Sequence, residues 1–317
     1  MKVYTDPEVA GDALRGAVLT VGNFDGVHLG HQRILRTARA LARVSSAKTV
    51  ALTFEPHPLA ALRPEWAPAR LTLWEEKRRQ LQLAGADAVV RLAADATVLS
   101  LTAEDFVKRI LVQDLHPSYL VEGPDFGFGR NRGGNIETLR AMSARGGFQV
   151  HVVEPYRLWL SGDRHVTVSS TVIRECLSQG EVEDATACLG RPYVLMGEVV
   201  HGAGDGHKLG FPTINLNVRG QLAPAEGVYA GWAEVNGVRG AAAISIGRRP
   251  TMDGQELTIE AFIIDQSGDW YAANARIGFV SRLRDQVRFV DRAALAAQIA
   301  QDVEAVRVVV QVSECHP

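Results

Sequence analysis

Cysteine is scarce. The 317 residues hold three, Cys176, Cys188 and Cys315, odd in number and far apart. That excludes a disulfide framework, and with no CxxC pair nothing suggests a zinc site. Long apolar runs are missing as well. No stretch approaches the ~18–20 uninterrupted apolar residues of a membrane helix, and the opening Met1-Lys2-Val3-Tyr4-Thr5-Asp6 has no apolar signal core. Neither sign of charge dominates: 34 basic residues face 36 acidic ones, for a net charge of −2, with no Lys/Arg-rich block. Nucleic acid and membrane are therefore not expected partners. Low-complexity tracts are absent too, and 46% hydrophobic residues is more than a disordered chain carries. A soluble cytoplasmic protein is expected. Two domains are expected as well, since one core usually spans ~100–200 residues.

What is present divides near residue 185. The first part alternates strand-like with helix-like stretches: Val18–Val21, then helical spacing over Gln32–Val44; Thr49–Phe54; Ala88–Val90 before Ala103–Val112; Tyr119–Val121 before Asn135–Arg145. Such alternation predicts a doubly wound α/β domain, a parallel sheet with helices on both faces. Its ligands sit beyond the carboxyl ends of the strands. One short helical stretch, Gln179–Ala187, precedes the change. After Arg191-Pro192-Tyr193 the pattern becomes strand and turn: Val194–Val200, Gly227–Val235, Ala241–Ile246, Leu257–Ile264 and Ala275–Val280. Asn236-Gly237, Asp253-Gly254 and Ser267-Gly268 punctuate them. This predicts a small antiparallel β-barrel, closed off by a terminal helix from Arg292 to about Val309. The domains expected are 1–185 and 186–317.

The chemistry-bearing strings fall in the loops. Gly22-Asn23-Phe24-Asp25-Gly26-Val27-His28-Leu29-Gly30-His31 follows a strand and leads into a helix. Glycines there let a ligand approach the backbone, and N–H groups at a helix start favour phosphate. His28 and His31, three apart, point to one side and can stabilise charge developing on phosphate oxygens. A metal pair lacking its third ligand, or a surface coincidence, are the blander readings of HxxH alone. Ser169-Ser170-Thr171-Val172-Ile173-Arg174 puts hydroxyls and an Arg at a second helix start, a phosphate cradle or a plain N-cap. Leu52-Thr53-Phe54-Glu55-Pro56-His57-Pro58 and Gly123-Pro124-Asp125-Phe126-Gly127-Phe128-Gly129 add aromatics in rigid or glycine-rich loops, which stack on a planar ring or fill the core.

Together the four strings resemble the adenylyltransferase module of the prokaryotic bifunctional riboflavin kinase/FMN adenylyltransferase (FAD synthetase) family. HxGH is the nucleotidylyltransferase signature, and the likeness covers residues 15–190. It implies that His28 and His31 act on the ATP phosphates in adenylyl transfer. Gly22, Asn23, Phe24, Asp25 and Gly30 would form the nucleotide loop, and Ser169, Thr171 and Arg174 would grip the triphosphate. Phe54, His57, Asp125 and Phe128 would line the flavin cleft. The segment Arg91–Ser100 lacks the phenylalanines usual in the family.

In the second half, Gly202-Ala203-Gly204-Asp205-Gly206-His207-Lys208-Leu209-Gly210-Phe211-Pro212-Thr213-Ile214-Asn215 joins a glycine-rich loop to a Pro-fixed turn with two oxygen donors. By glycines alone it reads as a flexible hairpin. The Leu-Gly-Phe-Pro-Thr-x-Asn string resembles the ATP·Mg²⁺ loop of riboflavin kinase. That likeness implies ATP contacts from Gly204, Lys208, Gly210 and Pro212, Mg²⁺ on Thr213 and Asn215, Glu260 as the general base, and Arg284 near the flavin or nucleotide. Without the likeness, Glu260 is a solvent-facing strand residue. Departures are more frequent here: Asp205-Gly206-His207 stands where basic residues are usual, and Ser245, Ala272 and Asp285 replace a frequent Asn, Gly and Glu. Two ATP-dependent steps are expected, riboflavin to FMN and FMN to FAD, with riboflavin, FMN and ATP as small-molecule partners and weak self-association besides. The rivals are another HxGH nucleotidylyltransferase, and an adenylyltransferase whose degenerate kinase half binds or regulates flavin.

Overall fold

A computed structural model describes all residues except 203–209, 219, 252–253 and 315–317. The chain forms two compact units. In the first, six parallel strands make one sheet in the order β1-β4-β3-β2-β5-β6. They are β1 (Lys2–Tyr4), β2 (Val18–Val21), β3 (Thr49–Glu55), β4 (Ala88–Ala93), β5 (Tyr119–Glu122) and β6 (Gln149–Val152). All four residues of β2 and the first five of β3 are buried. Continuous apolar runs of this kind suit strands covered by helices on both faces. The helix Leu29–Val44 supplies part of that cover, burying Leu35, Ala38 and Ala42. The helices Pro7–Leu14 and Trp74–Leu83, and the edge strands β1 and β6, were not legible in the sequence. Each is short or weakly apolar, and the parallel ladders β1–β4 and β5–β6 supply what local pattern does not. A two-stranded ribbon, β7 (Arg157–Leu160) with β8 (Arg164–Thr167), completes the strands before the barrel.

The sheet order fixes where a ligand can enter. From β2 the chain proceeds to β3 and β4 on one side, whereas β5 and β6 lie on the other. The β2–β3 ladder runs to Val21↔Leu52, but the β2–β5 ladder stops at Leu19↔Leu120. The crevice between the carboxyl ends of β2 and β5 is the topological switch point, where open α/β sheets bind ligands.

The second unit holds a closed antiparallel barrel in the order β10-β13-β12-β11-β14-β9. Its strands are β9 (Tyr193–Val200), β10 (Thr213–Val218), β11 (Gly227–Val235), β12 (Val238–Thr251), β13 (Gly254–Ile263) and β14 (Asn274–Arg284). The Asn236-Gly237 turn joins β11 to β12 with both residues at positive φ, 50° and 81°, as a two-residue hairpin needs. β12 is longer than the sequence suggested. The segment expected to be a Pro-fixed turn is the strand β10, paired with β9 and β13. The stretch read as one helix over Gln179–Ala187 is two, Ser170–Gln179 and Val182–Leu189, because Gly180 at φ 78° ends the first. By packing, this unit takes in everything from Ser169 onward, together with Arg70–Thr72 and Trp159–Arg164. The two helices are tied to the barrel by Glu183, which accepts from Ser281 Oγ at 2.6 Å and Arg282 N at 2.9 Å. Ala225 N–H adds a bond to the Leu177 carbonyl at 2.9 Å.

The terminal helix Arg292–Glu314 covers one outer patch of the barrel. Val303, Val306 and Val310 pack there against Ala230, Phe262 and Leu283. Beside this apolar contact Asp302, 8% exposed, holds Arg284 through Nε at 3.0 Å and Nη2 at 2.7 Å, and Gln298 donates to the same carboxylate at 3.0 Å. Removing one partner of such a pair leaves a buried charge uncompensated. Asp302→Ala should therefore lower the unfolding free energy by about 3 kcal/mol in urea denaturation. A change within 0.5 kcal/mol would show the helix to be held by its valines alone.

Candidate active sites

The first site is built from the end of β2. Gly22 N–H still bonds the Leu52 carbonyl at 3.0 Å, and the Thr53 hydroxyl donates to the Asn23 carbonyl at 3.3 Å, so β3 pins the loop's entry. The chain then turns through three positive φ values, Phe24 at 48°, Gly26 at 85° and Val27 at 43°. For Phe and especially β-branched Val this conformation costs of order 1–3 kcal/mol each, strain that gathers where structure serves function. Phe24 and Val27 are buried, which holds them there. The turn ends at His28, the N-cap of the helix Leu29–Val44, whose Nδ1 accepts from His31 N–H at 3.4 Å. The His28 and His31 rings stack with centroids 3.7 Å apart, and Phe24 meets His31 edge-on at 5.1 Å. A Cβ on Gly30 would stand 3.1 Å from the His28 ring and 3.4 Å from the Val168 carbonyl, so the glycine leaves room for the imidazole.

Electrostatics divides the two histidines. His31 is held well below the ordinary imidazole range by burial, with His28 and then Lys77 adding repulsion. Its Nδ1 is enclosed without a hydrogen-bond partner among the described residues. Lys77 is 5% exposed and pairs with Glu55 at 3.4 Å. A neutral imidazole beside a buried ammonium is suited to an anionic oxygen, which would relieve the repulsion. Lys77 was not singled out by sequence. Its signal was a lysine on the buried side of Trp74–Leu83, beside Gln80 and Leu81.

Asn23 and His57, from two separate motifs, come together. The Asn23 carboxamide lies 3.0 Å from His57 Nε2, and Leu59 N–H donates to His57 Nδ1 at 3.2 Å. Asp25 is buried, Asp125 exposed. Phe54 lies 6.4 Å from Phe106, and Phe128 packs between Phe106 and Phe126 at 5.9 and 5.3 Å. Phe128 is itself a core ring, because the Phe128↔Gly134 bridge closes its loop inward; Phe126 is the more exposed of the two. Ser169 caps the helix Ser170–Gln179, accepting from Val172 N–H at 3.3 Å, and Thr171 and Arg174 lie on the next turns.

Sequence reading missed Glu122 altogether. Where the β2–β5 ladder ends, its carboxyl accepts the Val21 N–H at 2.6 Å, with the Thr20 hydroxyl beside it. Only 2% of the residue is exposed, and burial pushes its pKa well above the carboxylate range.

The second site lies on the outer face of the barrel. Along β10, Ile214 and Leu216 are buried while Thr213 and Asn215 alternate outward. Along β13, Ile259 and Ala261 are buried and Glu260 points out, directly opposite Asn215 in the register. Thr213, Asn215 and Glu260 thus share one face. They offer a hydroxyl, a carboxamide and a carboxylate, the hard oxygen donors that suit Mg²⁺. Glu260 Oε1 accepts from Arg249 Nη2 at 2.5 Å. Gly210, at φ 84°, and exposed Pro212 lead into β10. Gly204 and Lys208 lie outside the described residues. Arg284 is committed to Asp302 and the terminal helix. At the end of β9, His201 and Tyr271 stack at 3.7 Å, both exposed, an aromatic pair that nothing in the local sequence signalled.

Among the described residues one other cluster has metal-ligand spacing, Cys176 with Glu181 and Asp184. Arg164 already occupies it, its Nη2 2.5 Å from Glu181 and 2.6 Å from Asp184, and burial raises the Cys176 thiol to about 11. A guanidinium and a neutral thiol leave no ligand set for a cation.

The FAD synthetase family model matches residues 11–172 and the riboflavin kinase model residues 189–310. The chain belongs to the bifunctional riboflavin kinase/FMN adenylyltransferase family. The family's member from Haemophilus influenzae is 36% identical over 305 residues, 94% of this chain and 96% of that protein. Its members from Escherichia coli K12 and Pseudomonas fluorescens are 36% and 37% identical, covering 90% and 92% of this chain and 90% and 93% of those proteins. A solved structure titled as a macrolide-efflux protein from Streptococcus pneumoniae superposes with a TM-score of 0.86 at 29% identity, over 97% of this chain and 99% of that one. Among the described residues of this chain no helix is long and apolar enough to cross a membrane.

Burial of Glu122 makes a test of the first site. Because its folded pKa is raised, the stability linked to its proton is fully present below the ordinary carboxylate range and is lost as pH rises through the raised value. Glu122→Gln stays neutral, so it should gain on the parent by about 1.4 kcal/mol per pH unit across that window. Urea unfolding of both proteins from pH 4 to 8 measures the difference; a flat one would mean that the carboxyl is ionised where it lies.

Proposed function

We propose that this protein makes both flavin cofactors, phosphorylating riboflavin to FMN and adenylylating FMN to FAD, each with ATP. The single observation that carries it is that both catalytic halves are present in one chain, with the HxGH loop at the switch point and Thr213, Asn215 and Glu260 on one barrel face. A kinase half retained only to bind flavin finds no support in a riboflavin kinase match that spans residues 189–310.

We assign adenylyl transfer to the module 1–185 and phosphorylation to 186–317. In the kinase half, Glu260 takes the proton of the ribityl 5′-hydroxyl, which attacks the γ-phosphorus of ATP and displaces ADP. Thr213 and Asn215 would hold Mg²⁺, which supplies charge neutralisation at the phosphates. Gly204, Lys208, Gly210 and Pro212 are assigned to the triphosphate, and Arg284 to the edge of the flavin or nucleotide site. In the first half, the FMN phosphate attacks the α-phosphorus of a second ATP and pyrophosphate leaves. His28 and His31 meet the charge that develops, with Ser169, Thr171 and Arg174 on the triphosphate. Little chemistry is asked of these side chains beyond positioning and charge. Gly22, Asn23, Phe24, Asp25 and Gly30 are assigned to the nucleotide loop, and His57, which meets Asn23, is assigned with Phe54 and Asp125 to the flavin cleft. The cytoplasm is the compartment proposed, since ATP and riboflavin meet there, and weak self-association belongs to the same reading.

The test is a chromatographic time course with riboflavin, ATP and Mg²⁺. FMN should appear first and FAD after it. His28→Ala should stop at FMN, its FAD formation slower by ~10²–10³-fold, the usual loss when a charge-stabilising donor is removed. Glu260→Gln should convert added FMN to FAD at the parent rate while phosphorylating riboflavin at least ~10²-fold more slowly. Riboflavin left untouched by the parent protein, with added FMN still consumed, would falsify the kinase half of the proposal.

A further inference from the structure

The barrel face that carries Glu260 also carries a cation. Arg249 lies on β12, whose register sets Ser245 opposite Glu260 and Arg249 opposite Glu256. Four residues beyond Ser245, Arg249 stands on the same side of the pleat, and its side chain runs back along the strand to Glu260. One nitrogen, Nη2, donates to Glu260 Oε1. Among the described residues that is its one hydrogen bond. The Arg249 side chain is 41% exposed, that of Glu260 20%. Its neighbour Arg248 turns elsewhere, donating from Nε to Glu226 at 3.1 Å.

Such a pairing is uneconomical as a stabilising contact. A guanidinium matched to a carboxylate normally engages both oxygens with two parallel N–H bonds, and an exposed one-toothed pair contributes about 0–1 kcal/mol. Here the remaining N–H groups stay open next to the general base, on the face that offers Thr213 and Asn215. Phosphoryl transfer loads charge onto the γ-phosphate oxygens, and a planar donor fork is the group best shaped to receive it.

We propose that Arg249 is a further catalytic residue of the riboflavin kinase reaction, one guanidinium N–H holding Glu260 while the open ones bind the γ-phosphate of ATP. The proposal rests on the assignment of Glu260 as base. The step balances without any other reactant. The ribityl oxygen–phosphorus bond forms, the bond from the γ-phosphorus to its bridging oxygen breaks, ADP leaves with that electron pair, and the hydroxyl proton passes to Glu260. Arg249 loses no proton. It spans the group that receives the proton and the group that receives the charge.

Inhibition of riboflavin phosphorylation by two probes reads the barrel site separately from the first module. The β,γ-imido analogue of ATP carries a γ-phosphate and ADP does not. In Arg249→Met the inhibition constant of the analogue should rise ~10-fold while that of ADP stays within twofold, and kcat should fall ~10²-fold. Arg249→Lys should recover part of the analogue's affinity and little of kcat, because one point charge cannot serve carboxylate and phosphate together. FMN adenylylation in the same preparations reports folding. If Arg249→Met loses both activities, Arg249→Lys carries the same comparison of the two inhibitors. Equal shifts for the analogue and ADP, or no shift for either, overturn the proposal. Glu260→Gln separates the two claims: it should slow turnover at least ~10²-fold while keeping the parent's ratio of analogue to ADP binding, measured by competition against ATP in the residual turnover. Full turnover in Glu260→Gln would remove the base assignment and leave the inhibitor ratio of Arg249→Met to stand or fall by itself.

Discussion

Two central strands that begin paired and then part are the constraint on which the first module depends. β2 and β5 share two register pairs and diverge before either ends. Beyond Leu19 and Leu120 the ladder can no longer satisfy the backbone of β2, and a buried N–H without a partner costs ~1–3 kcal/mol. The Glu122 carboxyl takes the Val21 N–H and fills the wedge. Val21 is thereby fixed, and the following residues leave the sheet with their direction set. The left-handed turns at Phe24, Gly26 and Val27, the histidine cap and the stacked imidazoles are successive consequences of that exit. Opening the sheet creates the crevice, and the same carboxyl closes its floor.

In the second module the corresponding constraint is closure. A closed barrel has one inside, and alternation along each strand sends every second residue into it. Ile214, Leu216, Ile259 and Ala261 fill that interior, so Thr213, Asn215 and Glu260 are delivered to the outside without any loop having to place them. The outer surface is then divided. Phe262, two residues past Glu260 and on the same face, lies under the terminal helix with Phe211 edge-on at 5.4 Å. Glu260 lies clear of that apolar cluster. The pair formed by Arg284 and Asp302 fixes the helix beside it. A residue expected near the ligand thus sits at the seam between barrel and helix.

Much of this was legible in the sequence because it is local. β2 and the start of β3 announce themselves as apolar runs, the helix after His28 by its spacing, and the hairpin at Asn236-Gly237 by residues that accept positive φ. The HxGH and Leu-Gly-Phe-Pro-Thr-x-Asn strings point to their chemistry through the family that they resemble. What local pattern could not give depends on partners distant along the chain. β1 is a strand because β4 lies beside it, and β10 because β9 and β13 flank it. Phe128 reads as a ligand-facing ring in a glycine-rich loop until the bridge to Gly134 turns it into the core. Glu122 reads as an ordinary strand-end carboxylate until the divergence of two strands buries it.

The sequence by itself determined the order of an α/β part and a β part, since composition and periodicity are properties of neighbouring residues, and its motif strings determined the family that they resemble. Only the tertiary structure decided which charges are neutralised and by whom. His31 loses basicity through burial and the approach of Lys77 from another helix. Arg284 spends its charge on Asp302, Arg164 fills what would otherwise be a cluster of ligands, and Arg249 lies against Glu260. Desolvation and Coulomb energies depend on distances in space and on the water excluded between groups, and neither is written in the spacing of residues along the chain.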